Sequence, residues 1–287
     1  MKNANRRDFI KAISALGLAC LLPLDLLGAT GHEGCRICKE AWNRLSKMNE
    51  TRYQFRYIEP SSLPNVFLYG DSISIGYTEY VRAALEGKAN VYRLHVNGGS
   101  SHDLIPKMEA FRKALFQPSL KGGWSFDWDV IHFNVGLHDL KYVANKVELD
   151  KVNGKLVSTL EVYEKKLREN INYLKTTYPK AKLIFALTTV VPEGEAGRFE
   201  GSEANYNKVA LNVLKDYPEI TINNLHEVSI PIIKEYQDKP GSVHYLPEGY
   251  RLLGIQVAKQ IAKLLKVKVE DCPSAMVIER KFKEYEK

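Results

Sequence analysis

The chain predicts an α/β fold: a three-layer α/β/α sandwich around a five-stranded parallel sheet. Two observations carry that prediction. From Asn65 onward, short apolar runs alternate with longer amphipathic segments, and the runs end in turns rich in glycine, serine and asparagine. The runs are Val66-Phe67-Leu68-Tyr69, Val91-Tyr92-Arg93-Leu94, Val130-Ile131-His132-Phe133, Leu183-Ile184-Phe185-Ala186-Leu187 and Ile220-Thr221-Ile222. Helical patterns separate or follow them at roughly 76–87, 103–116, 156–178, 202–216 and 247–266. In 156–178, Leu160, Tyr163, Leu167 and Ile171 recur at spacings of three and four, which is one face of a helix. Strands that alternate with helices need right-handed crossovers, and these cover both faces of a parallel sheet. In such a sheet, function belongs at the carboxyl ends of the strands.

The 287 residues divide into a leader at 1–29, a polar and aromatic arm at 30–62, one domain at 63–268 and a tail at 269–287. No linker, repeat or shift in composition splits the domain. Asn5-Arg6-Arg7-Asp8-Phe9-Ile10-Lys11 and the apolar run from Ala12 to Leu22 have the layout of an export signal. The arginine pair followed by Asp-Phe-Ile-Lys resembles a twin-arginine signal, which makes the twin-arginine export machinery the expected partner of the leader. Pro23 and Asp25 interrupt the apolar run before it reaches the ~20 residues a span needs, so no stable membrane span is expected after processing. The expected location is periplasmic or extracellular. Gly17-Leu18-Ala19-Cys20 is a weaker alternative, a lipoprotein box.

The net charge is +7, and the leader holds four cations against two carboxylates. The remaining lysines and glutamates are mixed along the helices, without a basic stripe carrying aromatics, so nucleic acid is not expected as a partner. Three cysteines follow the leader: Cys35, Cys38 and Cys272. Cys35-Arg36-Ile37-Cys38 lacks the histidine of a haem attachment site and a second pair for zinc. In an oxidising compartment the expectation is a structural disulfide, with a tie from the arm to Cys272 as one candidate. No histidine or carboxylate cluster has metal spacing, and no glycine-rich loop has the phosphate-binding pattern, so no cofactor is expected.

The chemistry sits where the apolar runs end. The first is followed by Gly70-Asp71-Ser72, the second by Asn97-Gly98-Gly99, the third by Gly136-Leu137-His138-Asp139, and Val243-His244-Tyr245-Leu246-Pro247 opens the last helix. Each is bland alone: a serine at such a turn usually caps a helix, and glycine usually serves a tight turn. The four in this order are harder to dismiss.

In these blocks the sequence resembles the SGNH (GDSL-like) hydrolases over nearly all of residues 64–266. The resemblance implies a flavodoxin-like sheet order and ester hydrolysis by a serine nucleophile. It makes Ser72 the nucleophile, His244 its base, and the Gly99 N–H an oxyanion donor. His138 stands where the family has asparagine, in a subgroup with a Gly-x-His-Asp third block. Asp71, Asn97 and Asp139 are the expected substrate-binding neighbours. The family's acid lies three residues before the histidine, where this chain has Gly241. A Ser–His dyad oriented by a backbone carbonyl is therefore expected, with Asp238 as the alternative acid. Resemblance and export together imply a small-molecule or glycan ester as substrate, foremost an acetyl or other short acyl group on a carbohydrate. The competing readings are an inactive glycan-binding protein on the same scaffold and a lipid esterase or phospholipase. His132 falls inside the third strand and is expected to be a buried structural histidine.

Overall fold

The computed structural model describes residues 36–49, 51–116, 124–145 and 148–286. The leader at 1–29, with the Cys20 box, and Cys35 lie outside the described residues. Five strands form the main sheet: β1 (Asn65–Tyr69), β2 (Asn90–Arg93), β3 (Val130–Phe133), β7 (Lys182–Ala186) and β8 (Thr221–Asn223). Their order is β2-β1-β3-β7-β8 and every pairing is parallel. All five match the apolar runs to within a residue or two. β1, β2 and β3 are buried along their whole length. That explains why they read as continuous apolar runs rather than as alternating ones: helices cover both faces. The chain reverses its direction of winding between β1 and β3, which is where a doubly wound sheet opens a crevice.

The helices are α1 (36–45), α2 (Ser72–Ala84), α3 (Leu104–Leu115), α4 (Leu160–Thr177), α5 (Glu203–Leu214), α6 (Leu225–Tyr236), α7 (Pro247–Leu265) and α8 (Ala275–Tyr285). α2 and α7 matter most for function, since one begins at Ser72 and the other begins three residues after His244. They interlock through two glycine notches. A Cβ on Gly76 would lie 2.1 Å from Tyr250 Cε1, and one on Gly254 would lie 2.6 Å from Tyr80 Cβ. Neither notch admits a side chain, so the two helices pack closely and their amino ends are fixed relative to each other.

Three elements depart from the sequence expectation. α6 contains Pro231, which breaks the periodic signal although Asn224 caps the helix by accepting from the Glu227 N–H. The 269–287 tail forms α8, whose Ile278 is buried in a small cluster with Tyr80 and Ala275. Between β3 and α4 the chain builds a small antiparallel sheet in the order β5-β4-β6, from β4 (Tyr142–Ala144), β5 (Glu148–Leu149) and β6 (Lys155–Leu156). Strands of two or three residues leave no legible alternation.

In the arm, Trp42 is buried against Phe111 and Trp124, and its Nε1 donates to the Phe55 carbonyl at 2.7 Å. Cys38 is a free thiol within this packing, and Cys272 is a free thiol beside the Tyr80 carbonyl. Cys38 and Cys272 are not joined, so the expected tie from the arm to Cys272 is not made through Cys38. Among the described residues no helix is long and apolar enough to cross a membrane.

Candidate active site

Ser72 is the first residue of α2, immediately after the carboxyl end of β1. Asp71 caps that helix, its Oδ1 accepting from the Ile73 N–H at 2.9 Å. The Ser72 N–H sits in the first turn, where N–H groups have no intrahelical carbonyl to bond. The partial positive charge of the helix end is therefore available above the serine.

His244 reaches the same spot from the other end of the chain. Its Nε2 lies 2.8 Å from Ser72 Oγ, a hydrogen bond between residues 172 apart in sequence. The geometry is set by the segment before α7: the Asp238 N–H donates to the His244 carbonyl at 3.1 Å, and Gln237 bridges Tyr245. On the far side of the ring, Nδ1 lies 3.4 Å from Ser242 Oγ, which also accepts from the His244 N–H at 3.1 Å. Asp238 is exposed and meets His244 through its backbone. Among the described residues, the partner of Nδ1 is thus a hydroxyl, not the expected carbonyl or the Asp238 carboxylate.

Gly241 explains why no acid stands at the expected place. Its φ is +75°, and a Cβ there would lie 2.5 Å from the Gly194 carbonyl oxygen. The position excludes every side chain on both grounds.

His138 follows β3 in a tight turn closed by the Asp139 and Leu140 N–H groups on the Gly136 carbonyl, at 2.8 and 3.1 Å. Its Nδ1 lies 3.2 Å from Lys141 Nζ. Burial, then the positive charges of Lys141 and Arg198, push the His138 pKa down to about 3, so the ring is neutral at ordinary pH. Arg198 is itself buried in an ion pair with Glu195 and donates to the Leu137 carbonyl at 2.7 Å, which holds the histidine's own turn in place.

Ser72, Asn97, His138 and His244 line one cleft of about 560 Å³ with Lys141, Arg198, Lys239 and Ser242. Three expected site residues do something else. The Gly99 N–H donates to Asn97 Oδ1 at 2.9 Å, so it is already engaged and Gly99 shapes the turn instead of offering a free donor. Asp139 is fully buried and accepts from the Ser101 N–H, Ser101 Oγ and Ser158 Oγ. Asp71 is buried too and turned toward its helix cap. Burial raises the pKa of both carboxyls. They brace the loops that carry the site and do not line the cleft. His132 is buried, 3.2 Å from Asn223 Nδ2, well inside the sheet. Lys141 and Ser242 were missed by sequence reasoning. A lysine three residues after a histidine and a serine two before one carry no recognisable spacing until the turns are known.

Among the described residues no group of three or more His, Cys, Asp or Glu is arranged to hold a metal ion.

The five-stranded parallel sheet between helices is the fold of solved GDSL-type hydrolases. No family model matches the chain and no curated protein matches it. Solved structures do. The lipase/acylhydrolase from Enterococcus faecalis is 16% identical with a TM-score of 0.52, over 74% of this chain and 100% of its own. The acetylxylan esterase Axe2 from Geobacillus stearothermophilus is 15% identical with a TM-score of 0.51, over 71% of this chain and 95% of its own. The acetyl xylan esterase AlAXEase is 16% identical with a TM-score of 0.52, over 69% and 99%. Likeness at this level of identity establishes the fold.

Proposed function

We propose that this chain is a member of the SGNH hydrolases, an exported serine esterase that removes a short acyl group, foremost acetyl, from a carbohydrate. The observation that carries the reading is the 2.8 Å contact between Ser72 Oγ and His244 Nε2 at the carboxyl end of the sheet. Nucleophile and base within hydrogen-bond reach is the minimum that acyl transfer requires.

In this mechanism His244 Nε2 takes the Ser72 proton as Oγ attacks the ester carbonyl. The tetrahedral oxyanion is held by the Ser72 N–H at the positive end of α2 and by His138 Nε2–H. The protonated His244 ring is steadied by Ser242 Oγ at Nδ1, and the buried Asp71 carboxylate adds an attractive field. His244 then gives its proton to the departing alcohol oxygen, leaving Ser72 acylated. Water, deprotonated by the same ring, adds to the acyl carbonyl, and collapse returns the free serine and a carboxylic acid.

The cleft lining supports a polar substrate. Asn97, Lys141, Arg198, Glu195 and Lys239 are among its walls, beside Leu149, Ala196, Pro240 and Val243, and the polar side chains can hydrogen-bond the hydroxyls of a carbohydrate. Likeness to two acetylxylan esterases points the same way. Export rests on the leader at 1–29 and its resemblance to twin-arginine signals. The Ser72–His244 contact favours catalysis over the reading as an inactive glycan-binding protein.

The test is hydrolysis of p-nitrophenyl acetate and labelling by a fluorophosphonate probe. Ser72→Ala is expected to abolish both. Unchanged turnover in that variant ends the assignment, and a wild-type protein that neither turns over nor labels supports the binding role instead.

A further inference from the structure

We infer that Lys141 is a positioning residue that holds His138 in its Nε2–H form, making a histidine serve as a permanent hydrogen-bond donor to the cleft. The inference rests on the esterase reading for its purpose, but its physical content is independent of it.

An asparagine side chain always carries two N–H donors. A neutral imidazole carries one, on either of two nitrogens, and the two tautomers are close in energy. A histidine in an oxyanion hole therefore needs something to choose the nitrogen. Lys141 Nζ lies 3.2 Å from His138 Nδ1. An ammonium has three donors and no acceptor, so the contact requires a lone pair on Nδ1, and the proton must then sit on Nε2.

The turn after β3 creates this pairing. Closure on the Gly136 carbonyl brings the side chains at 138 and 141 to the same side, and both line the cleft. The charged groups acting on His138 are Lys141, Arg198 and Lys107, which oppose a second proton, and Asp103, which favours one. His244 and Ser72 share the cleft. Arg198 is neutralised by Glu195, and Asp103 pairs with Lys107. Lys141 remains as the cation in direct contact with the ring.

The experiment is nitrogen-15 NMR of histidine-labelled protein, with resonances assigned by loss in His138→Asn. In the wild type, His138 is expected to show an unprotonated Nδ1 and a protonated Nε2, unchanged from about pH 5 to about pH 8. Lys141→Met is expected to populate both tautomers, while burial, the largest cause of the lowered pKa, still keeps the ring neutral. The variant's kcat for p-nitrophenyl acetate at neutral pH should fall about twofold with KM unchanged, because with two tautomers of similar energy roughly half of the molecules would then present the donor. Lys141→Arg keeps the wild-type tautomer, since a guanidinium also lacks an acceptor. A wild-type spectrum with Nδ1 protonated overturns the inference, as does a Lys141→Met spectrum with the tautomer unchanged. Should Lys141→Met not fold, the wild-type and Lys141→Arg spectra still decide. Loss of the esterase reading would appear separately, as a Ser72 that does not label.

Discussion

Ser242 Oγ and Ser72 Oγ flank the same imidazole, 3.4 Å from Nδ1 and 2.8 Å from Nε2 of His244. The three side chains form a Ser–His–Ser line in which a neutral hydroxyl stands where a carboxylate would be. A hydroxyl can fix the ring's orientation and choose its tautomer, but it offers the imidazolium only a dipole. Ser242→Ala is therefore expected to lower kcat by about twofold to tenfold, the worth of a neutral hydrogen bond, with KM little changed. Ser242→Asp would bring a charge to the same nitrogen. An anion favours the protonated ring and raises its pKa, so the acidic limb of kcat/KM should move to higher pH. The plateau should rise as the imidazolium becomes better stabilised. A pH profile of Ser242→Asp that superimposes on the wild type would show that Nδ1 does not feel this side chain.

The obvious repair is a different one, and it should fail. Putting the acid back at the family's position means Gly241→Asp. That backbone holds φ at +75° with the Gly194 carbonyl 2.5 Å from the would-be Cβ. A left-handed conformation costs a side chain roughly 1–2 kcal/mol before the clash is counted. We expect Gly241→Asp to unfold at lower urea concentration than the wild type and to lose activity. Gain of activity with unchanged stability would mean that the 240–242 loop moves freely.

The contrast between these two positions shows what the sequence could disclose. The five strands were legible because burial on both faces makes each an unbroken apolar run, as in Val130–Phe133. The Ser72 and His244 blocks were legible because each sits at a strand or helix end that composition marks. Three things were hidden. α6 carried Pro231 in its middle, and β4 to β6 are too short for any period. The neighbours of the two histidines were hidden because tautomer and orientation depend on turn geometry: Lys141 and Ser242 acquire meaning only from the 136–141 and 237–245 turns. Asp71 and Asp139 failed in the opposite direction. Polar residues inside motif blocks look like substrate contacts, yet both carboxylates are consumed by bonds to the loops around them.

Asp139 can be tested as a brace. It accepts from the Ser101 N–H at 2.9 Å, Ser101 Oγ at 2.6 Å and Ser158 Oγ at 2.8 Å, tying the second block to the third. Asp139→Ala leaves buried donors unsatisfied, at about 1–3 kcal/mol each. The expected result is a clear drop in the urea midpoint, with the remaining folded protein still labelling at Ser72. A variant as stable as the wild type but with a raised KM would return Asp139 to substrate binding.

His138 itself separates donor chemistry from mere filling of space. Removing one oxyanion donor costs on the order of 10²–10³ in kcat, so His138→Ala should fall in that range with KM much less affected. His138→Asn supplies an amide donor in the same turn and should recover a large part of the loss. Equal activity of the alanine and asparagine variants would remove His138 from the oxyanion hole.

Two further histidines predict how the fold responds to acid. Burial lowers the His132 pKa to about 3 and, aided by Lys107 and Arg93, that of His95 to about 4. The unfolded chain takes up these protons near the ordinary value of 6.5, while the folded chain refuses them. The stability they contribute is therefore complete above that pH and is lost as the pH falls through the window toward 4. Each should remove on the order of 2 kcal/mol by pH 5, at about 1.36 kcal/mol per unit. Asp71 and Asp139 act with the opposite sign, because burial raises their pKa and the folded state takes up their protons first. They lessen the loss at the lower end of the window. Urea denaturation should thus give a lower unfolding free energy at pH 5 than at pH 7, and His132→Asn should flatten that dependence by about one proton. A variant with the wild-type slope would show that His132 is protonated in the fold, against a ring buried in the sheet with Asn223 beside it.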